Sequence, residues 1–172
     1  MNELQNLTWQ KDDFYLSTNK EYLDLSTIHS YLCNDSYWQQ GVSIEAVREQ
    51  ILYTPLCYGI YLGNPSTPTR YQVGFARVIT DFTRFSYLCD VFVSPDHQGN
   101  GLGKWLMECI VETPRIRNTF FSLKTRDAHD LYRQYGFELD PNLDKAMVRT
   151  GNQEQQLEEI MKPVQLNLPH LR

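Results

Sequence analysis

The sequence predicts an α+β fold with a mixed central β-sheet flanked by helices. Two helical patterns come first, a group of long apolar strand candidates follows, and then a strand, a glycine-rich loop and a helix come in direct succession. The chain has 172 residues, of which 41% are hydrophobic and 22% charged. This size and composition fit one globular domain with a proper core.

The N-terminal third predicts one short strand and two helices. Residues 1–13 resemble a loose lead-in, and the segment FYLST over 14–18 predicts a strand. Apolar residues at helical spacing predict a helix over 24–33. The polar stretch NDSYWQQG predicts a loop, and Ser43 is a candidate N-cap for a second helix, SIEAVREQIL.

The middle of the chain predicts the body of the sheet. Apolar segments predict strands over 56–62, 70–80 and 85–93, and the last two are joined by a short hairpin turn, DFTR. The segment GKWLMECIVE over 103–112 predicts a helix, and TFFSLKT over 119–125 predicts the next strand.

The C-terminal part predicts a short helix, a last strand and an appendage. The helix AHDLYRQYGF ends at Gly136, which suits the position after a helix C-terminus. AMVRT over 146–150 predicts the last strand. The chain is then rich in Gln and Glu and carries Pro163 and Pro169, so we expect a main domain over 1–150 and a partly ordered appendage over 151–172, with a short helix at 152–161.

Composition excludes several classes of function. The net charge of −5 does not favour a nucleic-acid partner, and no apolar run is long enough to span a membrane. The four cysteines are widely spaced without a C-x-x-C pair, which favours small buried residues in a reducing compartment over a disulfide framework. The four histidines form no cluster, so we expect no metal site. The N-terminus lacks the order of a signal peptide, which predicts a cytoplasmic protein.

Three glycines stand at alternate positions between a predicted strand and a predicted helix. They are Gly99, Gly101 and Gly103, and Lys104 follows them. The unpaired N–H groups at a helix start favour an anion. Neither the P-loop pattern nor the dinucleotide fingerprint fits this spacing.

Two motifs resemble those of the GNAT N-acetyltransferase superfamily. The segment from Gln98 to Gly103 matches its loop pattern Q/R-x-x-G-x-G/A, and AHDLYRQYGF matches its second signature A-x-x-L-Y-x-x-x-G-F. The resemblance covers about residues 14–149. It implies a GNAT acyl-CoA N-acyltransferase fold, in which the central strands splay apart, and an enzyme that uses acetyl-CoA without a metal.

The resemblance also implies a set of cofactor-binding residues. The pyrophosphate of coenzyme A would lie on the glycine loop, and the pantetheine arm would pair with strand backbone in the gap between the splayed strands. Thr125 stands where many relatives carry asparagine, and Arg133 lies in the second motif. The predicted set is Val91, Phe92, Val93, Gln98, Gly99, Asn100, Gly101, Leu102, Gly103, Lys104, Thr125 and Arg133.

The predicted catalytic residues are Tyr132 and Asp90. Tyr132 matches the tyrosine that the family uses to protonate the departing thiolate, and a phenol can do so without being ionised at rest. YLCDVFV resembles the corresponding strand of spermidine/spermine acetyltransferases, with Asp90 as the second of that strand's two acids. Asp90 is either a substrate anchor or water-mediated base, or a structural partner of Arg77 or Lys124.

Strand alternation predicts that Asp90 shares a face with Leu88 and Phe92 and lies opposite Cys89 and Val91. Asp81 and Glu45 are lesser candidates for the base, and His97 and His129 are expected on the surface.

The resemblance implies that Tyr37 and Trp38 line the acceptor site, because the superfamily places that site beside the loop between the first two helices; the alternative is that they are loop aromatics that cover the core. Together with Asp90 they make up the predicted substrate-binding set. The bulky loop favours a small-molecule amine as acceptor, and we expect a monomer or a homodimer. Two alternatives stay open: a GNAT module that binds acyl-CoA without turnover, and an enzyme that acetylates proteins or peptides.

Overall fold

The computed structural model describes residues 3–162. Residues 163–172, which carry both prolines of the predicted appendage, lie outside the described residues. The chain divides into two compact units between Leu139 and Asp140. The domain boundary expected near residue 150 stays a prediction.

The first unit contains a six-stranded sheet and four helices. The strands are β1 (Thr8–Lys11), β2 (Phe14–Ser17), β3 (Leu56–Leu62), β4 (Tyr71–Thr80), β5 (Phe85–Val93) and β6 (Phe120–Leu123). The helices are α1 (Leu25–Asn34), α2 (Ile44–Tyr53), α3 (Leu102–Val111) and α4 (His129–Arg133). The α+β class predicted from the sequence is confirmed.

The strands stand in the sheet in the order β1-β2-β3-β4-β5-β6. All neighbours are antiparallel except β5 and β6, which are parallel. Pairing of these two strands runs from Phe85 with Phe120 to Leu88 with Leu123 and does not extend further among the described residues. The second half of β5 therefore lacks a partner on this side, and the predicted splay of the central strands is confirmed.

The sheet has a hydrophobic core on each face, because most of its central positions are apolar on both sides. Helices α3 and α4 cover one face, and α1 and α2 cover the other. The α3 face includes Leu16, Tyr58, Ile60, Val78, Leu88, Trp105, Leu106, Ile110 and Tyr132. The α1–α2 face includes Ile28, Leu32, Val47, Cys57, Phe75 and Phe92.

The first two helices begin where their capping residues predict. The Asp24 carboxylate accepts a hydrogen bond from the Thr27 N–H, and the Ser43 hydroxyl accepts one from the Ala46 N–H. Each cap satisfies one of the backbone donors that a helix start leaves open. The Ser43 cap thereby fixes the C-terminal end of the loop 35–43, where α2 begins.

A β-bulge interrupts the pairing of β4 with β5. Phe75 pairs with Phe92 and Arg77 pairs with Cys89, so one residue of β4 faces two of β5. Asp90 stands in the bulge with a φ of 55°, which strains any residue other than glycine.

The bulge makes the predicted strand alternation partly wrong. Leu88 packs in the core of the α3 face, whereas Phe92 packs in the core of the α1–α2 face. Asp90 shares its face with Phe92, as predicted, but not with Leu88. Cys89 pairs directly with Arg77 and so faces the same side as the Asp90 side chain. An extra residue in one strand moves the residues before it to the other face.

The predicted loose lead-in is wrong, because it contains a 3₁₀ turn and strand β1. Trp9 stacks on Tyr58 with ring centroids 6.5 Å apart, which anchors β1 to the core of the sheet. The hairpin then turns at Asp12, whose φ of 52° permits the tight connection to β2.

The second unit contains helix α5 (Gln153–Met161), close to the predicted helix at 152–161. The strand predicted over 146–150 is wrong, because this segment has no ladder partner in the described part of the chain. The side chains of Met147 and Val148 are almost fully exposed there. A strand is stable only when its backbone groups find partners, and apolar character alone does not supply them.

Candidate active site

The glycine loop delivers the N-terminus of α3 with open backbone donors. Gly101 is the N-cap with a left-handed φ of 75°, and no side chain caps the helix. The first helical N–H bond runs from Trp105 to the Gly101 carbonyl at 3.0 Å. The N–H groups of the three residues before Trp105 therefore lack the helical acceptors that later turns have. They form a donor cluster at the positive end of the helix dipole.

The space beside two of the loop's three glycines is free of neighbouring atoms. A Cβ placed on Gly99 or Gly103 would have no atom within 4 Å. Gly99 also has a φ of 81°, a conformation that glycine adopts without strain. A phosphate-sized anion can therefore approach the backbone of this loop.

Two contacts hold the loop at the end of the sheet. The Ser94 N–H donates to the Val73 carbonyl at 2.8 Å, and the Gln98 amide donates to the Val93 carbonyl at 2.9 Å. Gln98 thus spends one amide hydrogen on fixing the loop. Among the other predicted loop residues, Asn100 and Lys104 are exposed and Leu102 is buried.

The predicted pantetheine strand, Val91 to Val93, lies in the half of β5 that has left β6. Val91 is half-buried, and Phe92 is buried under α1, where its ring stacks on Tyr31 at 3.9 Å. This aromatic stack fixes β5 against α1. The edge of β5 that does not pair with β4 faces the gap left by β6.

Tyr132 lies on α4, on the same face of the sheet as α3. It is 9% exposed and packs edge-on against Phe137 with ring centroids 5.9 Å apart. Burial, with smaller contributions from Tyr37 and Asp127, raises the pKa of the Tyr132 hydroxyl to about 12. The hydroxyl therefore keeps its proton throughout the physiological range and is available as a proton donor.

The Schellman motif that ends α4 fixes this tyrosine. The Phe137 N–H donates to the Tyr132 carbonyl at 3.3 Å, and Gly136 has a φ of 82°. The turn folds Phe137 back onto the Tyr132 ring. The predicted role of Gly136 at the helix end is confirmed.

Asp90 is buried and its carboxylate is occupied by protein donors. Its Oδ1 accepts from Trp38 Nε1 at 2.9 Å and from Gln39 Nε2 at 2.8 Å, and its Oδ2 pairs with Arg77 Nε. The Asp90 side chain is 2% exposed and that of Arg77 is 12% exposed. Of the two roles left open by the sequence, this geometry favours the structural partner of Arg77.

The contacts of Asp90 continue into a closed ring of hydrogen bonds. Arg77 Nη1 donates to Thr54 Oγ1 at 3.0 Å, and Thr54 Oγ1 donates to the Gln50 carbonyl. Gln50 Nε2 donates to Gln39 Oε1 at 2.9 Å, and Gln39 returns to Asp90. The ring joins the bulge of β5, strand β4, the C-terminus of α2 and the loop 35–43. The ring holds these elements together, although Gln50 Oε1 is buried there without a hydrogen-bond partner among residues 3–162.

The loop 35–43 spans the splay and is anchored on both sides of it. On the β5 side Trp38 bonds to Asp90. On the β6 side the Arg126 N–H donates to the Tyr37 hydroxyl at 2.9 Å, and the Arg126 guanidinium lies 3.8 Å from the centre of the Tyr37 ring. The two aromatic residues pack edge to face and stay partly exposed, at 44% and 39%.

The remaining predicted residues lie outside the ring of hydrogen bonds around Asp90. Thr125 Oγ1 accepts from the Ala128 N–H at 3.0 Å at the start of α4. Arg133 is exposed and pairs with Asp130. Asp81 lies in the β4–β5 turn, at the end of β5 remote from the glycine loop. The other lesser candidate, Glu45, is in the first turn of α2.

Both histidines that were expected on the surface, and not among the catalytic residues, are half-buried, with part of each side chain exposed. His129 begins α4. His97 packs edge-on against Phe14 with ring centroids 6.2 Å apart, and its Nδ1 lies 3.0 Å from the Ser94 hydroxyl. His97 therefore belongs to the connection between β5 and the glycine loop.

Residues 3–162 offer no metal-binding cluster and no membrane-spanning helix. This range contains no group of three or more His, Cys, Asp or Glu side chains that could hold a metal. No helix in the same range combines the length and apolar character needed to cross a membrane. All four cysteines are free thiols, and burial raises the pKa of Cys57 and Cys109 to about 11.

Sequence reasoning missed five residues near the site. Gln39, Gln50 and Thr54 complete the ring around Asp90, Arg126 anchors Tyr37, and Lys11 reaches the glycine loop from β1. Gln39, Gln50 and Thr54 belong to no sequence motif. They meet only where α2 and the loop before it pack on the sheet. Lys11 lies in a segment that gave no strand signal.

Comparison with known proteins agrees with this architecture. The model of the acetyltransferase (GNAT) domain matches residues 69–139, which contain β4, β5, the glycine loop and α4. A protein of Gibberella zeae named as an acetyltransferase is 31% identical over 140 residues, which cover 72% of this chain and 78% of the relative.

Solved structures share the fold. A protein from Xanthomonas campestris pv. campestris assigned to the GNAT family is 37% identical with a TM-score of 0.73, and the match covers 80% of this chain and 93% of that one. An acetyltransferase structure from Clostridium acetobutylicum described with acetyl-CoA is 15% identical with a TM-score of 0.56. This match covers 80% of this chain and 94% of that one. The conclusion from sequence, fold and relatives is that this chain belongs to the GNAT family of acetyltransferases and is an acyltransferase enzyme.

Proposed function

We propose that this protein transfers an acetyl group from acetyl-CoA to the primary amine of a small molecule. The observation that carries the proposal is the position of the uncapped N-terminus of α3 directly after the unpaired half of β5. An anion-binding helix start and an extended strand edge are thereby adjacent. Coenzyme A has the matching chemistry, since it carries a pyrophosphate followed by an amide-bearing arm.

The residues of the loop fit a pyrophosphate. Gly99 and Gly101 have left-handed backbones, and no atoms crowd Gly99 or Gly103. The backbone donors of the α3 start would hold the phosphate oxygens, with Lys104 and the second amide hydrogen of Gln98 as side-chain donors. The edge of β5 from Val91 to Val93 would pair with the arm, and Thr125 and Arg133 complete the proposed set.

We assign the proton donor to Tyr132. Acetyl-CoA supplies the acyl group and a thiolate leaving group, whose ordinary pKa is about 8.5. A buried hydroxyl with a pKa of about 12 is protonated at neutral pH and so has a proton to give; because the thiolate is the weaker base, the phenolate left behind takes a proton back from the medium. Tyr132 would then protonate the thiolate as it departs.

We assign the acceptor site to the side of the splay under the loop 35–43. Tyr37 and Trp38 would flank the amine, and Asp90 would hold Trp38 and Gln39 in place through its ring of hydrogen bonds. Because the Asp90 carboxylate is paired with Arg77, its proposed role is positioning of the acceptor loop, with no free charge for the amine. The base is then the medium or a bound water.

The double anchoring of the loop supports a small acceptor. A peptide needs an open groove across the splay, whereas the contacts of Trp38 with Asp90 and of Tyr37 with Arg126 close it from both sides. The cytoplasmic location and the monomeric or homodimeric state expected from the sequence stay predictions.

Calorimetric titration with coenzyme A tests the cofactor assignment. Gly101→Val should abolish binding because valine opposes a φ of 75°, and Gly103→Val should do so while keeping an ordinary helical backbone. Gly151→Val, outside the loop and uncrowded, is the matched control. Parental affinity in both loop variants would refute the assignment.

Thiol release from acetyl-CoA tests the acceptor class. A panel of small primary amines is compared with lysine-containing peptides and with peptides that have free N-termini. We expect turnover with members of the small-amine set. Turnover with peptides alone would refute the small-molecule assignment and leave the cofactor assignment intact.

A further inference from the structure

The N-terminal hairpin brings a lysine to the start of α3. The Nζ atom of Lys11 lies 3.8 Å from the point that a Cβ on Gly101 would occupy. We propose that Lys11 is a phosphate-binding residue, whose ammonium group contacts the pyrophosphate of coenzyme A from outside the glycine loop. The inference rests on the proposed function, since it takes the glycine loop as the pyrophosphate site.

The architecture of the hairpin fixes where Lys11 points. Trp9 and Lys11 are two residues apart on β1 and so share one face of the sheet. The Trp9 ring stacks on Tyr58 in the core beneath α3, so this face is the α3 face. Lys11 pairs with Phe14 at the last rung of the hairpin, which places its long side chain beside the first turn of the helix.

The loop itself comes to the hairpin. The His97 ring packs against the Phe14 ring with centroids 6.2 Å apart, so the chain leaving β5 crosses the ends of β4 and β3 to reach β2. Gly101 follows four residues later and begins α3 next to β1. The ring contact of Phe14 with His97 therefore joins the hairpin to the glycine loop, and Lys11 Nζ lies close to the Cβ position of Gly101.

The charges at this junction call for an anion. The start of α3 carries open N–H donors and no side-chain cap, and the helix dipole makes it positive. Lys11 adds a full positive charge at the same point and forms no salt bridge with any residue from 3 to 162, including Asp12 and Asp13 in its own turn. Two positive groups that face each other repel, whereas an anion bound between them is attracted by both.

The decisive experiment compares the affinities of coenzyme A and dephospho-coenzyme A by calorimetry. The second compound keeps the pyrophosphate but lacks the 3′-phosphate. We expect Lys11→Ala to weaken both compounds by a similar factor, on the order of tenfold, which is the scale of one charge-assisted hydrogen bond. Lys11→Arg should retain most of the affinity, and the salt dependence of binding should become shallower in Lys11→Ala because one cation no longer meets the phosphate.

Arg84→Ala is the charge-matched control. Arg84 is exposed in the β4–β5 turn, at the end of β5 opposite the glycine loop, so its loss changes the net charge without touching the site. We expect it to bind both compounds like the parent. If Arg84→Ala weakened binding as much as Lys11→Ala, the effect would be one of net charge and the proposal would fail.

The other outcomes separate this inference from the proposed function. Parental affinity in Lys11→Ala, together with lost binding in Gly103→Val, would overturn the role of Lys11 and keep the site. Weakened binding of coenzyme A alone would assign Lys11 to the 3′-phosphate and overturn the pyrophosphate contact. Parental affinity in both Lys11→Ala and Gly103→Val would refute the glycine loop as the cofactor site.

A readout on the free protein guards against a folding defect. Without ligand, the unfolding temperature of Lys11→Ala should equal or exceed that of the parent, because the ammonium group is repelled by the helix start. Lys11→Met keeps an unbranched apolar stem of similar length on the sheet, and should show the same loss of affinity if Lys11→Ala lowers the unfolding temperature. Parental affinity of Lys11→Met would show that the stem, and not the charge, supports binding, and would overturn the proposal.

Discussion

Trp38 donates a hydrogen bond from its indole nitrogen to Asp90 Oδ1 at 2.9 Å, which ties the loop between α1 and α2 to the bulge in β5. The two residues are 52 positions apart in the chain. The same carboxylate neutralises Arg77 on the neighbouring strand. A buried ion pair thus serves as the attachment point of a loop that covers the splayed strands.

The ion pair should contribute to stability as a unit. Asp90→Asn and Arg77→Gln should each lower the free energy of unfolding by about 3–5 kcal/mol, because each leaves a buried charge without its partner. The double variant removes both charges and should lose less than the sum of the single losses. Urea denaturation of all four proteins measures this coupling, and additive losses would contradict it.

Loss of the indole N–H should affect the acceptor and spare the cofactor. Trp38→Phe keeps an aromatic ring but removes the donor to Asp90, which loosens the loop over the acceptor side. We expect a higher KM for the amine and an unchanged Kd for coenzyme A. Trp9→Phe, which alters a ring stacked on Tyr58 in the sheet core, is the matched control. Equal effects of both variants on the amine would show that the change is not specific to the loop.

Removal of the Tyr132 hydroxyl should lower turnover with little change in the affinity for coenzyme A. A loss of about 10²–10⁴-fold is usual for a positioned acid. Because the pKa of this hydroxyl is about 12, it stays protonated below that value, and Tyr132→Phe should lower the rate by a constant factor from pH 7 to 10. A series of steady-state rates checks this, and parental turnover across it would reduce Tyr132 to a core aromatic.

The β4–β5 turn should be stabilised by the ionised form of Asp81. Its Oδ1 accepts the N–H groups of Phe85, Arg84 and Thr83, and these bonds lower the pKa of the Asp81 carboxyl to about 2. Since the pKa is lower in the folded state, this stabilisation is present above about pH 4 and is lost as the pH falls towards 2.

The test of Asp81 is thermal unfolding over a pH range. Asp81→Ala should lower the unfolding temperature at pH 7, and the gap to the parent should close near pH 2. Asp81→Asn keeps one acceptor oxygen and should fall between the two proteins. A gap that stays constant with pH would mean that ionisation of Asp81 does not stabilise the turn.

The regular elements and the glycine loop could be predicted because their signals are local. Ser43 caps α2, Gly136 ends α4, and the alternate glycines begin α3, all from residues within a few positions of one another. Strand β1 gave no such signal, because its four residues hold one large apolar side chain and its stability comes from the stack of Trp9 on Tyr58.

The surroundings of Asp90 could not be predicted because they depend on register. The bulge inserts one extra residue into β5 opposite β4, so Leu88 and Phe92 lie on opposite faces of the sheet. Simple alternation along the sequence of β5 would place them on the same face. Two partners of the Asp90 carboxylate, Trp38 and Gln39, come from the loop before α2, 52 and 51 positions away in the chain. The segment 146–150 shows the opposite error, since apolar residues at strand-like spacing do not form a strand without a neighbour to pair with.

The six strands stand in the sheet in the order in which the ribosome delivers them. Each new strand up to β5 pairs with the one made just before it through an antiparallel connection, so the growing sheet needs no part of the chain that is still unmade. Only the pairing of β6 with β5 waits for a crossover through α3. The splayed edge of β5 is thus the last edge to receive its strand during synthesis, and the short pairing of β6 leaves half of it without a strand partner among residues 3–162.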